Sequence, residues 1–285
     1  MPQQHIHTRA DTWLQRLSSN RLLAAARAGW LDILEGATNW RMWHLMGSAE
    51  LRQRYTRSRL GQFWLTLSTG IQIAALGLVW SLLWGAPVSE LMPYFAISIV
   101  FWQFFTGILG DSTTIFTKNG KYFINHRMSF ATAISALIYQ HLLILLHNAA
   151  VIVLVFLFFS KPAGPTVLLA LPGLGLAVIT GVWLSYVLGI LCTRYRDLGQ
   201  LVNSMLQVAF YVTPVLWKPN FIPEAYREYL LFNPFAVYLS VIRDPILGES
   251  LTPEPWLVAA AITLVGFTAA LPFIGRYKNR LIYWV

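Results

Sequence analysis

The chain has 285 residues, of which 56% are hydrophobic and 12% charged, about half the charged share of an ordinary soluble domain. This composition excludes both a typical cytosolic globular protein and a disordered one. Because roughly 20 apolar residues cross a hydrocarbon core of ~30 Å, the chain can supply about six transmembrane helices. The sequence therefore predicts an all-α, polytopic membrane protein whose net charge of +9 is concentrated outside the lipid.

The first 62 residues differ from the rest of the chain, since they contain nine arginines and no lysine. Apolar residues recur there at i, i+3, i+4 and i+7, once over 30–37 and again over 42–49. The pattern predicts a cytoplasmic arm, residues 1–62, with an amphipathic interface helix lying in the headgroup plane and Trp40 and Trp43 at the interface. The alternative is a cytosolic helical pair packed against nothing in particular.

Six apolar stretches follow the arm and form the predicted permease domain, residues 63–285. We expect the spans at 63–84, 93–116, 129–159, 166–192, 199–217 and 256–275. With the N-terminus inside, 17 of the 21 Lys and Arg residues fall on the cytoplasmic side. The positive-inside rule therefore places both termini in the cytoplasm.

The long outer segment between the fifth and sixth spans contains two proline breaks. Asn233-Pro234 opens an apolar run and Asp244-Pro245 closes it, leaving about ten helical residues, too few to cross a bilayer. We interpret residues 223–243 as a re-entrant periplasmic helical hairpin. Irregular backbone at membrane depth requires protein or water around it, so we expect this hairpin to act as an outer gate over a pathway.

Catalytic and metal-binding patterns are missing from the sequence. Gly120-Lys121 lacks the earlier glycine of a phosphate-binding loop, since Ile115 stands in its place. The single cysteine, Cys192, and the scattered histidines give no zinc spacing, and no carboxylate pairs with a nearby histidine. We predict no catalytic residue, no metal and no cofactor in this chain, although a membrane-bound glycan-processing enzyme remains an alternative.

The fifth predicted span carries the most informative pattern. Asn203, Gln207, Phe210, Pro214 and Trp217 are spaced so as to share one helical face. A buried amide without a partner costs about 1 to 3 kcal/mol, so this face should meet protein or a wet cavity. One interpretation is a translocation surface, on which the amides bind hydroxyl groups and the aromatic rings stack on sugar faces. The other is a set of polar contacts that hold neighbouring helices together. The other candidate substrate-path residues are aromatic: Tyr211, Trp80, Trp84 and Trp102.

Two blocks resemble the permease subunits of polysaccharide-export ABC transporters, the membrane subunits for O-antigen, capsule and teichoic acid. The basic segment Arg54–Trp64, RYTRSRLGQFW, is similar to the family's RYRRSxLGPLW, with Gln62 where the family often has proline. The second block runs in the family's order and comprises Arg194–Leu198 (RYRDL), Thr213-Pro214-Val215, Pro223, Asn233-Pro234-Phe235 and Arg243. The resemblance covers residues 30–280 and leaves out the first 25.

The resemblance implies a homodimer that encloses a continuous channel in the bacterial cytoplasmic (inner) membrane. It implies two copies of a separate cytosolic ATPase, which binds ATP and Mg, and an undecaprenyl diphosphate-linked glycan as substrate, with O-antigen the first choice. Membrane lipids are the remaining partners, and no nucleic acid is expected. The implied contacts with the ATPase or the lipid phosphate are Arg52, Arg54, Arg57, Arg59, Lys118, Lys121, Arg194 and Arg196. A drug or small-lipid exporter of the same superfamily is the other transport alternative.

Overall fold

The computed structural model describes residues 4–55, 61, 63–126, 128–160, 164–249 and 251–285, without the side chains of 4–20, 54 and 55. Within these ranges the chain is helical and contains no strand. The α-helices are α1 Gln4–Thr38, α2 Trp40–Tyr55, α3 Phe63–Trp84, α4 Val88–Ser112, α5 Ile115–Lys118, α6 Gly120–His126, α7 Phe130–Phe158, α8 Ala170–Arg194, α9 Asp197–Val212, α10 Glu224–Arg227, α11 Pro234–Leu247 and α12 Pro253–Leu281. Short 3₁₀ turns cover Pro165–Leu169, Pro219–Phe221 and Glu228–Phe232.

Five of the described helical segments are long and apolar enough to cross a membrane. They are α3, α4, α7, α8 with its preceding 3₁₀ turn, and α12. A sixth is reached only if the bent pair Glu224–Phe232 and Pro234–Leu247 counts as one broken span. The expected all-helical membrane protein is therefore confirmed, with five to six candidate spans by length and composition.

Each predicted span other than the fifth corresponds to one helix, with bounds that differ by at most six residues. The first span, 63–84, coincides with α3, and the third, 129–159, differs from α7 by one residue at each end. The second begins earlier than predicted because α4 accommodates Pro93 in its second turn. A proline there removes only one hydrogen bond close to the helix start. The last span is longer than predicted, since α12 begins at Pro253, a favoured first helical position.

The predicted fifth span, 199–217, is wrong at its outer end. The helix α9 stops at Val212, and Thr213 has extended backbone angles, φ −83° and ψ 141°. Proline disfavours a helical conformation in the residue before it. Pro214 therefore keeps Thr213 out of the helix, and the helix ends there. The 16 residues of α9 span about 24 Å. Pro214 and Trp217 therefore do not continue the helical face of Asn203 and Gln207.

The outer segment bends by 106° between the 3₁₀ turn Glu228–Phe232 and α11. Asn233 stands at the bend, and its side chain accepts hydrogen bonds from the backbone N–H groups of Phe235 and Ala236. The predicted end of this helix at Arg243 is wrong, because α11 continues through Pro245 to Leu247. It ends at Gly248, whose φ of 71° lies in the left-handed region that glycine adopts without strain.

The arm packs against the helical bundle. The helix α1 crosses α12 at two glycines, and a Cβ atom at Gly29 or Gly275 would collide with the backbone of the other helix. Gly47 brings α2 equally close to α7 near Ala136. The alternative of a helical pair packed against nothing is therefore wrong for the described part of the arm.

A buried carboxylate fixes this packing. Asp32 of α1 is buried, and its side-chain oxygens accept hydrogen bonds from the hydroxyl groups of Tyr186 in α8 and Ser129 before α7. Lys278 Nζ of α12 lies 3.6 Å from Asp32 Oδ1. One side chain thus links the arm to three segments of the bundle, and this role was not predicted from the sequence.

Candidate functional site

The helix α9 has no buried residue and is divided into three sectors. Its packed sector holds half-buried side chains such as Val202, Leu206 and Phe210. The exposed remainder is polar on one side, with Gln200, Asn203, Ser204, Gln207 and Tyr211, and apolar on the other, with Leu201, Met205, Val208 and Val212. Because amides exposed to hydrocarbon are costly, the polar sector must face water, a polar ligand or another polar surface.

A second polar surface adjoins this sector and was not predicted from the sequence. In the inner half of α4 the half-buried residues are all polar or small: Gln103, Thr106, Gly107, Gly110 and Asp111. Their spacing of i, i+3, i+4, i+7 and i+8 is that of one helical face. A Cβ atom at Gly110 would lie 3.4 Å from Asn203 Oδ1. The α4 stripe, as we call these five residues, is therefore continuous with the polar sector of α9.

A histidine stands behind the α4 stripe. His141 Nε2 of α7 lies 3.0 Å from Asp111 Oδ2. The imidazole ring occupies the space that a side chain at Gly107 would need, which explains why this position is a glycine. Asp111 thus lies next to the C-terminal end of α4, and a carboxylate near the end of a spanning helix costs less than one at mid-bilayer.

The predicted aromatic path residues fall into three groups. Tyr211 is 71% exposed and belongs to the open polar sector, and Trp217 folds back to donate its Nε1–H to the Tyr211 carbonyl. Trp80 and Trp84 pack against each other at the outer end of α3, with ring centroids 4.5 Å apart. Trp102 is 7% exposed and packs against Phe210 on the buried side of α9. It therefore contributes to the packing beneath the polar sector and is not part of the exposed surface.

Basic residues from several segments meet at one end of the bundle. Lys118 in α5 pairs with Glu50 of α2 at 3.2 Å, and Val285 packs on Gly120. The guanidinium of Arg194 lies 5.3 Å from the ring centre of Trp284. Exposed side chains of this basic end are Lys118, Lys121, Tyr122, Ile124, Arg194, Tyr195 and Arg196.

The predicted arginine contacts of the arm are only partly described. Arg52 is exposed, and its Nε–H lies 3.4 Å from the Ser48 carbonyl oxygen. The backbone of Arg54 belongs to α2, but its side chain lies outside the description, and Arg57 and Arg59 lie outside the described residues. Their role as contacts to an ATPase or to lipid phosphate stays a prediction.

The opposite end is organised by Arg243, which is only 2% exposed. Its Nη1 donates to Tyr94 Oη at 2.8 Å and to the Pro214 carbonyl oxygen at 2.9 Å. The guanidinium also pairs with Asp244 and lies over the Tyr94 ring. The Tyr94 hydroxyl in turn bonds the carbonyl oxygens of Pro214 and Trp217. Arg243 therefore ties α11 to α4 and to the chain that leaves α9.

A polar cavity of about 530 Å³ lies beside Arg243, between the bent segment and the start of α12. Glu249, which follows α11 and lies outside the spanning helices, is one of its lining residues. The side chain of Glu249 stays exposed on one side, but its partial burial and the neighbouring Asp244 carboxylate raise the pKa of Glu249, while Arg243 and Lys218 partly offset the rise. Folding therefore shifts the protonation equilibrium of this carboxyl group toward the neutral form.

We expect the Glu249→Gln variant to be more thermally stable than the wild type near neutral pH. A group whose pKa is raised on folding contributes stability at acidic pH and loses it as the pH rises through the folded pKa. The gain in melting temperature should therefore be clear at about pH 7.5 and shrink toward zero at about pH 4, below the usual carboxyl pKa. Glu224→Gln, at an exposed carboxylate of α10, is the control. An equal gain at both pH values would contradict this assignment.

Metal ligation finds no support at either end. Across the ranges that the structure describes, no three His, Cys, Asp or Glu side chains are grouped so as to hold a metal ion. Cys192 is buried near the inner end of α8. The chemistry that the described surface offers is hydrogen bonding by amides and hydroxyl groups together with ring contacts.

Comparison with known proteins identifies the family of this chain. The family described as "ABC-2 type transporter" matches residues 42–247. Two proteins of Klebsiella pneumoniae named "O-antigen export system permease protein RfbA" are 23% and 21% identical, over 77% and 76% of this chain and 86% of each relative. A protein of the same name from Myxococcus xanthus is 24% identical over 78% of this chain and 86% of its own length.

Proposed function

This chain belongs to the ABC-2 type transporter family, and from that membership we propose that it is the channel-forming permease subunit of an ABC transporter that exports a lipid-linked polysaccharide. It is a multi-pass protein of the bacterial inner membrane. Chains of this family are the membrane subunits of transporters, so the glycan-processing enzyme considered from the sequence is not supported. O-antigen is the first choice of substrate, because the similar chains of two genera carry that name.

The observation that carries the proposal is the open polar surface formed by α9 and the α4 stripe. Along α9 it lies beside an apolar sector that contains Leu201, Met205 and Val208, and it offers amides and a phenol for hydrogen bonding. A polymer with many hydroxyl groups needs contacts that form and exchange readily, because tight binding at one point would stop its movement. A drug or a small lipid would not require such a surface along the helices.

We infer that a second copy of the chain completes the channel. The polar sector of α9 is flanked by exposed Leu201, Met205 and Val208. These apolar residues can contact lipid or an apolar partner helix, whereas the polar sector would be unfavourable in contact with either. Two copies with their polar sectors facing each other would enclose an aqueous path and satisfy the amides.

The basic end is the proposed docking surface for two copies of a cytosolic ATPase, which would bind ATP and Mg²⁺. Exposed Lys121, Tyr122 and Ile124 on α6 combine charge with apolar area, as protein interfaces commonly do. The cations there, with those of the arm, also suit the phosphates of an undecaprenyl diphosphate carrier. This end is then cytoplasmic together with both termini. The bent segment 223–243 lies at the opposite end of the bundle, where Arg243 is located, and would form the periplasmic gate.

Export can be tested in a strain that lacks the chain. We expect glycan to disappear from the cell surface, to accumulate on the lipid carrier inside, and to return with the wild-type gene. Lys121→Glu should lower both surface glycan and co-purification of the ATPase about tenfold, the effect of removing one strong contact. Lys121→Arg, which keeps the charge, is the matched control. Normal surface glycan in the absence of the chain would contradict the proposal.

A further inference from the structure

Four polar side chains from three spanning helices meet in one cluster, which we call the amide cluster. Gln103 of α4 accepts through Oε1 from Thr69 Oγ1 of α3 and from Asn148 Nδ2 of α7, each at 3.1 Å. Its Nε2–H donates to Gln72 Oε1 of α3, also at 3.1 Å. Gln103 is therefore held by three partners, and it in turn orients the amide of Gln72.

The amide cluster lies near the middle of the bilayer, where polar groups need partners. Gln72 is the tenth residue of the 22-residue α3, so it lies about 14 Å from the inner end of that helix. Thr69 and Asn148 are buried, but Gln72 is exposed. An amide exposed to hydrocarbon loses its hydrogen bonds to water, which makes a lipid-facing position unfavourable for Gln72.

The amide cluster also has unused hydrogen-bonding capacity. Asn148 is 2% exposed, and its Oδ1 has no hydrogen-bond partner among the described residues. The side-chain oxygen of Gln72 is taken by Gln103, so its NH₂ group is left to donate outward. The outward NH₂ group of exposed Gln72 can therefore donate to a ligand oxygen, such as that of a hydroxyl group.

Gln103 connects the amide cluster to the surface already described. It is the first residue of the α4 stripe, whose other end adjoins Asn203 of α9. Neutral amides bind hydroxyl groups with modest strength, about 1 kcal/mol for each net hydrogen bond. Such contacts can be exchanged as successive sugar units pass.

We propose that the amide cluster is a sugar-hydroxyl subsite on the export path. Gln72 binds a hydroxyl group of a passing pyranose ring, and Gln103 is the positioning residue that aims the Gln72 amide. The subsite rests on the proposed function, because it needs a glycan in the path. It recognises the sugar and makes no contact with the lipid diphosphate.

The subsite is tested with the transporter reconstituted in proteoliposomes, using lipid-linked glycan and, separately, the same lipid diphosphate without sugars. We expect Gln72→Leu to raise the glycan concentration that half-maximally stimulates ATP hydrolysis about fivefold, the factor for one lost neutral hydrogen bond. The response to the sugar-free carrier should not change. Gln103→Leu should reproduce the effect, and Gln72→Asn should restore part of the wild-type response.

Gln140→Leu is the matched control. Gln140 is buried on the face of α7 that packs near Gly47 of α2, away from the amide cluster. An unchanged glycan response in Gln72→Leu, or an equal change for the glycan and the sugar-free carrier, would overturn the subsite. Loss of the two-copy assembly in Gln72→Leu, seen by size and light scattering, would assign Gln72 to a protein contact and also overturn it. Absence of any glycan response in the wild type would instead reject the proposed function.

Discussion

Replacing Asn203 and Gln207 together by leucine should reduce glycan export about tenfold or more while leaving the chain folded. Both side chains are exposed on the polar sector of α9. Neither substitution therefore opens a cavity or leaves a buried polar group without a hydrogen-bond partner. The variant loses two hydroxyl-binding amides in each copy, and about 1.4 kcal/mol corresponds to a tenfold change in rate. The rate of glycan appearance outside is the quantity to measure.

The apolar sector of the same helix supplies the control for this variant. Leu201→Val and Val208→Leu alter exposed side chains of α9 without touching a polar group. We expect their export rates to stay close to the wild-type value. Export that persists in the double leucine variant would show that α9 does not line the path.

Substituting Arg243 by glutamine should destabilise the protein by about 3 to 5 kcal/mol, the cost of breaking a buried charge cluster by removing one partner. Asp244, Tyr94 and the Pro214 carbonyl would each lose a donor. The link between α11 and the chain leaving α9 would open, so we expect a lower melting temperature and a lower abundance in the membrane. Tyr94→Phe, which removes one hydroxyl group, should have a smaller effect of about 1 to 2 kcal/mol.

Arg227→Gln is the matched control for the Arg243 variant. Arg227 is an exposed arginine of the same segment, and its Nε–H donates to the Ile222 carbonyl oxygen at 3.2 Å. Its replacement should change the melting temperature little, because exposed polar contacts contribute less than about 1 kcal/mol. A wild-type melting temperature in Arg243→Gln would contradict the role assigned to Arg243.

Hydropathy was sufficient to locate most of the helices, because a long apolar run has few other stable states in a membrane. The errors came from proline. The face containing Asn203 and Gln207 was extended across Thr213-Pro214, although the residue before a proline is disfavoured in a helix. Conversely, Asp244-Pro245 predicts a helix end, whereas the helix continues to the glycine that can adopt a positive φ.

The polar surface on α4 was missed although its signal is present in the sequence. Gln103, Thr106, Gly107, Gly110 and Asp111 follow helical spacing, but two of the five are glycines, which a search for polar residues passes over. Glycines also define how the arm packs. In α1, Gly29 allows the close approach to α12, while Trp30 of the apolar pattern stays exposed.

Partners distant in sequence could not be predicted from periodicity. Asp32 and Tyr186 are 154 residues apart, and Arg243 and Tyr94 are 149 apart. Composition indicates only that such charges must be paired if they are buried. The three-dimensional arrangement is needed to identify the partner, and this is also why the amide cluster around Gln103 was not found.

The central claim, that the polar sector of α9 lines the export path, is tested most directly by thiol accessibility. Single cysteines are placed along residues 198–212 in a Cys192→Ser background and treated with a membrane-impermeant reagent during export. We expect reaction at positions 200, 203, 207 and 211 with a period near 3.6, and protection of these positions by the glycan. Reaction confined to positions 201, 205 and 208, or reaction without a helical period, would contradict it.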